Sequence, residues 1–560
     1  MAEETAPTPL SRTWAILKPD IGDIGVVFVF ALVVGLLAMA TPLAVEQLVT
    51  TVAFGRVLQP VVVLSGLLFA FLAFQAAVRL LQVYTIELMQ RRIFARAAAD
   101  LAHRLPRIRH ESYDETDVPV LVNQFLDIAG VQKTAATLLL EGSGILLSTL
   151  VGMAVLAFYH PWLLGFDLFL LVSLGLVMTV AGIGGVRTAV KESKAKFRAL
   201  GWFEEMAATP AVFRSTAGYS MGLDRTDALT AEYLRFRSKH FRVLIRQNGL
   251  ALLLQVVAST VLLGIGGWLV ITSRLTLGQL VAAELIVAII VRSFAKLGKL
   301  LESYYDLLAS ADKVGGLTSL REDWDGTAEL PEGPLAVTVT GLAYAFAGRP
   351  PALEGFDASI PPGASLGIIG GTGSGKTIVC EMLAGMRTPT HGHIEVDDVS
   401  PREVNPFTLR DCVILVADGP LMDGTVLQNI ARGNPLVGVR EAWKALELVG
   451  VDDAVRACAD DLKTPVDGHR APFSVGERTR LNLAAAVAQK PGLLIIDSVL
   501  DALPREEVAD IVLRLHGPDA PWTLVVATTC EALAESLDAV VRLSCPTRTP
   551  AGAARLGAAR

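Results

Sequence analysis

Apolar residues fall into long runs in the first half of this chain and short runs in the second. A helix rises about 1.5 Å per residue, so roughly 20 apolar residues cross the hydrocarbon of a bilayer. Six runs meet that pattern: 24–49, 61–83, 134–158, 162–186, 250–271 and 277–291. The first is too long for a signal-peptide core and lacks a small-residue cleavage exit, so it reads as a retained span. Ahead of it, Trp14, Ile16 and Leu17 lie beside Arg12 and Lys18, the mixture of a short helix resting on a membrane surface. The sixth run is the least apolar and predicts a helix that continues past the membrane through 300–308.

Short turns join spans one and two, three and four, and five and six. The connections 84–133 and 187–249 are long and hold most of the basic residues of this half, Arg91, Arg92, Arg96, Arg104, Arg107 and Arg109, then Lys191, Lys194, Lys196, Arg235, Arg237, Lys239, Arg242 and Arg246. Positive charge marks the cytoplasmic side, and an even number of spans puts both termini there. These connections have helix rather than loop composition, so they predict charged helices running on into water and ending in two turns near the soluble part. Within the spans, Glu46, Arg79, Asp167, Glu284 and Arg292 are costly in hydrocarbon and should be paired, snorkelling or functional. Glu284 and Arg292, two turns apart on the last span, are the candidates for a substrate cavity.

Composition sharpens the division. The 560 residues are 52% hydrophobic and 19% charged with a formal net charge of −7, whereas soluble domains carry about 25% charge. A wholly soluble enzyme, a disordered chain and a basic nucleic-acid binder are excluded, and no nucleic-acid partner is expected. The second half reads as a soluble α/β domain. All five cysteines (Cys380, Cys412, Cys458, Cys530 and Cys545) lie there, at spacings that fit no zinc site, as reduced thiols. The polar, turn-rich stretch 322–335 reads as a linker.

The second half also carries the chemistry. An apolar strand, 365–369, runs into Gly370, Gly371, Thr372, Gly373, Ser374, Gly375, Lys376 and Thr377, and a helix-forming run follows. This is G-x-x-x-x-G-K-T between strand and helix, the phosphate-binding loop. Its glycines allow a tight turn that brings backbone N–H groups to phosphate, and the helix N-terminus adds a favourable dipole. Lys376 would reach the β- and γ-phosphates and Thr377 a Mg²⁺ ion, which predicts binding of ATP or GTP. A second apolar strand, 493–496, ends in Asp497, the acid that completes the Mg²⁺ shell in such proteins. The next residue is Ser498.

Six spans, two long charged connections and a P-loop domain together resemble a half-transporter of the ATP-binding cassette (ABC) exporter superfamily, with its type IV six-helix fold, over nearly the whole chain. Leu105 and Pro106 followed by Tyr113 and Asp127, and the Gly278-Gln279-Leu280 opening of the last span, are similar to that family too. The resemblance implies an all-α six-helix membrane domain with long cytoplasmic helical extensions, followed by an α/β nucleotide-binding domain. The expected layout is an interfacial helix region at 1–20, membrane domain 21–318, linker 319–335, nucleotide-binding domain 336–547 and a disordered tail 548–560. Coupling helices would lie near 111–118 and 207–214.

By the same resemblance Phe346 stacks on adenine, and Ser474 and Gly476 contact nucleotide bound to a second half. Other positions depart from the family pattern. Ala417 occupies the Q-loop glutamine position, with Asp418 beside it. The signature reads Phe473-Ser474-Val475-Gly476-Glu477. Ser498 replaces the glutamate that positions the attacking water, Asp501 to Pro504 form the dimer-contact segment, and Thr529 occupies the switch-histidine position. A general base contributes roughly 10²–10⁴ in rate, so ATP·Mg is expected to bind here and turn over very slowly. The implied function is a subunit of an ATP-driven exporter in the cytoplasmic membrane, moving a small amphipathic substrate and completed by a second half-transporter with intact catalytic motifs. The alternatives are a slow or regulatory homodimer and an exporter-fold importer of metal chelates.

Overall fold

The computed structural model describes residues 8–54, 58–115, 118–318, 320–346, 348–467, 472–517 and 520–544. The chain divides into two units: Met1–Pro106 with Asp117–Leu320, and Arg107–Thr116 with Arg321–Arg560.

The first unit is helical. It opens with a short helix, Pro9–Leu17, started by Thr8, whose hydroxyl accepts from the Ser11 N–H, and by proline at the first turn. Among the described residues, four helical stretches are long and apolar enough to cross a membrane: Pro9–Thr51, Gln59–Arg107, Gln124–Tyr159 and Thr216–Ile271. Two shorter apolar stretches, Pro161–Ser173 and Leu277–Ile290, lie between and after them. The helices run well past the apolar segments. Leu58–Arg104 has 47 residues, Thr216–Ile271 has 56 and Leu277–Thr318 has 42, or about 70, 84 and 63 Å of helix. Large apolar side chains such as Phe69 and Phe158 face outwards at 76% and 91% exposure, as lipid contact requires. Inside, Leu156, Leu170, Leu262, Leu269, Ile286 and Ile290 make a buried core.

Three spans are less regular than the expected ones. The first breaks at Met39 into Ile21–Ala38 and Ala40–Phe54, because Pro42 has no N–H to give the Ala38 carbonyl. The third is interrupted by a π-helical turn, Leu138–Gly142, between Asp127–Thr137 and Ser143–Tyr159. The fourth, expected over 162–186, stops at Val180 and restarts as Gly185–Ala208. Gly184 takes a left-handed φ of 87° at the break, a conformation glycine adopts without penalty. The carbonyls freed there are not wasted: the Arg246 guanidinium donates to Ala181 O at 2.6 and 3.0 Å and to Ile183 O at 3.2 Å.

Among the described residues, the second unit contains three sheets. Strands β1 (Val337–Ala345), β2 (Pro351–Ile360) and β4 (His391–Val396) form an antiparallel sheet in the order β2-β1-β4. Strands β3 (Ser365–Gly370), β5 (Val413–Val416), β8 (Leu493–Asp497), β9 (Thr523–Thr528) and β10 (Ala539–Leu543) form a parallel sheet in the order β10-β3-β9-β8-β5. Strands β6 (Gly424–Thr425) and β7 (Pro465–Val466) pair separately. The parallel strands read as near-continuous apolar runs because both faces are covered; all five residues of β8 and all six of β9 are buried.

The stretch read as a linker is part of this unit. Trp324 Nε1 donates to Val404 O at 2.9 Å, Ala328 N to Glu403 O at 2.8 Å, and Leu335 is fully buried. Its polar composition hid these few anchoring apolar residues. Cys380, Cys412, Cys458 and Cys530 are free thiols; Cys545 and the tail 548–560 lie outside the described residues.

Candidate nucleotide site

Register places the site. Ile369 of β3 pairs with Thr528 of β9, Asp497 of β8 with Ala527 of β9, and Val416 of β5 with Ile496 of β8. The phosphate loop, Thr529, Ser498 and Ala417 therefore all follow directly from the carboxyl ends of adjacent parallel strands, where open α/β sheets bind ligands.

The loop itself is built for an anion. Gly373 and Gly375 take φ of 81° and 93°, so neither position suits a side chain. A Cβ on Gly370 would come within 2.4 Å of Ser374 Oγ. Gly375 caps the helix Lys376–Leu383 without any side-chain hydrogen bond, which leaves the first-turn N–H groups free for phosphate. Lys376 is buried, and its ammonium donates to Gly370 O at 2.6 Å and Gly371 O at 3.1 Å. The buried Ser374 hydroxyl has no partner. Uncapped N–H groups, an orphan hydroxyl and a lysine resting on two carbonyls are together a donor set for phosphate oxygens.

Thr377 is exposed on the second residue of that helix, and Asp497 is buried at the end of β8. Ser498 follows in the left-handed region at φ 57°, a strained conformation for a residue with a side chain. Its hydroxyl donates to Asp497 Oδ1 at 3.1 Å. Thr529 is held by a carboxylate: Asp501 accepts from the Thr529 N–H and hydroxyl, each at 2.8 Å, and from the Thr528 hydroxyl. Ala417 is exposed after β5, with no polar group to offer.

Phe346 is half-buried and edge-on to Tyr344 with ring centroids 5.1 Å apart. The guanidinium carbons of Arg387 and Arg349 lie 5.4 and 6.0 Å from its ring centre, close enough for a cation–π attraction.

Ser474 caps the helix Val475–Ala488 in a reciprocal box. The Glu477 N–H donates to Ser474 Oγ at 3.3 Å, and the Ser474 N–H donates to the Glu477 carboxylate at 2.6 Å. Hydrogen bonds from the Ser474 backbone and hydroxyl lower the Glu477 pKa and keep it ionised. Val475 is 61% exposed, and a Cβ on Gly476 would meet Leu503 at 3.1 Å.

Sequence reading missed the residues that tie the turn 107–115 to this unit. The short helix Glu111–Glu115 docks beside the phosphate-loop helix. Arg387 is 6% exposed; it pairs with Asp114 and Glu381 and donates to the Tyr344 hydroxyl at 3.0 Å. Glu111 accepts from the Thr388 N–H at 2.9 Å and from its hydroxyl at 3.1 Å, and His110 lies 3.2 Å from Glu381. The Arg387 hydrogen bond lowers the Asp114 pKa. Burial works to raise Glu381, but its bonds to His110 and Arg387 win and lower it. No local motif announces these pairs, since Arg387 and Asp114 are 273 residues apart. The second expected coupling turn is the helix Pro210–Phe213 in the helical unit, with Phe213 edge-on to Trp202 at 5.4 Å.

Among the described residues, the intramembrane candidates Glu46, Arg79 and Glu284 make no ion pair with one another. Glu284 is exposed on the helix Leu277–Thr318, and the side chains of Arg292 and Asp167 lie outside the described residues. Glu46 accepts a hydrogen bond from the Tyr159 hydroxyl.

Comparison with known proteins agrees with this geometry. The family description "ABC transporter transmembrane region" matches residues 24–294, and "ABC transporter" matches residues 353–500. The chain joins the membrane region and the ATP-binding domain of an ABC transporter. A bacterial Atm1-family ABC exporter solved with ATP bound superposes with a TM-score of 0.81 at 17% identity, over 94% of this chain and 95% of that one; this shows the exporter fold. The alpha-hemolysin translocation ATP-binding protein HlyB of Escherichia coli is 26% identical over 300 residues, 53% of this chain and 42% of HlyB. The uncharacterized ABC transporter ATP-binding protein YwjA of Bacillus subtilis is 24% identical over 298 residues, 51% of each. The chain thus spans about half the length, or less, of these curated relatives. As an ABC transporter ATP-binding domain, the second unit takes ATP as its nucleotide.

Proposed function

We propose that this chain is the ATP-binding, hydrolytically impaired half of a heterodimeric ABC exporter of the cytoplasmic membrane, with its nucleotide-binding domain and both termini in the cytosol. The supporting observation is the pairing of an intact phosphate loop with three neighbouring positions that carry no carboxylate, imidazole or amide side chain. Gly370 to Thr377 offer N–H groups, a free hydroxyl and an ammonium, while Ser498, Thr529 and Ala417 stand where the family has a glutamate, a histidine and a glutamine. Thr377 and Asp497 would hold Mg²⁺, which neutralises phosphate charge when bound. Phe346 offers a ring face for adenine. Ser498 turns its hydroxyl to Asp497 and is too weak a base at neutral pH to take a proton from water. Thr529 is committed to Asp501.

A homodimer would repeat these losses at both sites, so a second half-transporter with intact motifs is the economical completion. That partner's site would use Ser474 and Gly476 of this chain. The words "translocation" and "exporter" in the relatives' names favour outward movement, and the apolar interior of the helical unit favours an amphipathic cargo.

The test is to purify the full chain alone and measure ATP binding and turnover separately. Binding with turnover at background is the expected result. Rapid hydrolysis by the isolated chain, abolished by Lys376→Ala, would overturn the proposal. Copurification from the native host should recover the second half.

A further inference from the structure

A cavity of about 560 Å³ lies against the first helix, Pro9–Leu17, within the range of roughly 300–1,000 Å³ typical of small-molecule sites. Leu10 and Trp14, four residues apart, share one face of that helix and are exposed, the arrangement of a helix resting on a bilayer. Arg12 and Ile16 lie on the opposite face and line the cavity. The helices Leu58–Arg104 and Leu277–Thr318 add Ile93 and Val314 to an apolar floor. Three guanidiniums, of Arg12, Arg96 and Arg104, and one carboxylate, of Asp100, complete the charged part of the wall.

The arginines are held in place from outside the cavity. Asp312 accepts from the Arg12 guanidinium with its carbonyl at 2.7 Å and its carboxylate at 2.9 Å. Asp20, 2% exposed, accepts from both Nη atoms of Arg96. Asp312 and Asp20 are not part of the wall, so they orient the guanidiniums without filling the space. Arg104 Nε donates to both Asp100 oxygens at 3.0 Å, so the wall carboxylate is already matched. Arg12 has a donor left over. Its side chain lies along Gly315, where a Cβ would come within 2.4 Å of Arg12 Cδ. Its Nε is buried and, among the described residues, has no hydrogen-bond partner. A buried N–H left unpaired on a cation costs free energy that an incoming oxyanion would recover.

We infer that this cavity binds one anionic phospholipid of the surrounding bilayer, with a phosphate oxygen accepting from Arg12 Nε and the apolar part of the lipid against Ile16, Ile93 and Val314. Guanidinium donors suit a phosphate, and basic pockets between membrane helices take anionic headgroups. A zwitterionic headgroup would bring its own cation among three guanidiniums. A free phosphate would make no use of the apolar floor. The binding rests on this cavity and on the membrane region, not on the reading of transport above.

The delipidated full chain in detergent is titrated with phosphatidylglycerol or phosphatidylcholine, and bound lipid is counted by native mass spectrometry. Phosphatidylglycerol should saturate at one per chain and bind at least about tenfold more tightly than phosphatidylcholine. Arg12→Lys keeps the charge and removes the Nε–H. It should weaken phosphatidylglycerol about threefold to tenfold and leave phosphatidylcholine unchanged. Ala15 is exposed and lines the cavity, so Ala15→Phe should fill it and abolish the saturable site while the thermal midpoint stays that of the wild type. Equal retention of both lipids, or phosphatidylglycerol binding unchanged in Ala15→Phe, overturns the inference. Displacement of phosphatidylglycerol by excess inorganic phosphate would assign the site to a free anion and overturn it as well.

Discussion

Two helix N-termini in the nucleotide-binding unit are made from similar parts and prepared in opposite ways. The helix Lys376–Leu383 begins at a glycine with no side-chain cap, so its N–H groups and positive dipole end await an anion from outside. The helix Val475–Ala488 begins at Ser474 with Glu477 folded back onto it, so an anion is already in place and belongs to the chain. Both ends carry the same dipole; what differs is whether the protein or a ligand satisfies it. The contrast suggests that a nucleotide site can lose its chemistry while keeping its affinity, because different residues carry the two.

The sharpest way to break this comparison is to restore the chemistry. Ser498→Glu with Thr529→His should raise ATP turnover of the chain by about 10²-fold or more, read by phosphate release. A rate that stays at background would move the defect to the Ser474–Glu477 side. Lys376→Ala should next weaken ATP binding about 10–100-fold by removing a charge-assisted contact, checked by calorimetry. Glu477→Gln keeps the reciprocal cap and removes one negative charge. ATP-dependent association of cassettes should strengthen about threefold to tenfold, measured by light scattering, while Glu477→Ala should instead lower helix stability by about 1 kcal/mol.

The smallest effect is one of pH. Asp114 and Glu381 have carboxyls below their ordinary values of 3.8 and 4.5. A depressed carboxylate stabilises the folded state above its unfolded pKa and loses that contribution as pH falls through the folded one. The thermal midpoint of the wild type should therefore exceed that of Asp114→Asn by a constant margin from neutrality to about pH 4.5, and the gap should close in more acid solution.

The phosphate loop is legible in sequence because eight consecutive residues carry its physics. Span positions are legible because lipid demands long apolar runs. The breaks within spans are only half legible. Pro42 and the glycines at 182, 184 and 185 announce weak points, but Arg246, which caps the broken end, comes from another helix. The docking of Glu111–Glu115 and the self-cap of Ser474 differ in the same way. The cap is a four-residue pattern open to reading, whereas Asp114 finds Arg387 only through the tertiary fold.

Three contacts converge on Arg387. One guanidinium holds the turn through Asp114, the phosphate-loop helix through Glu381 and the strand that leads into Phe346 through Tyr344. No lysine could replace it, since a single ammonium cannot span those directions. Sequence drift at this position would be felt at once in three segments, so genetic suppressors of an Arg387 variant should be scarce, and those that arise should lie on more than one of the three.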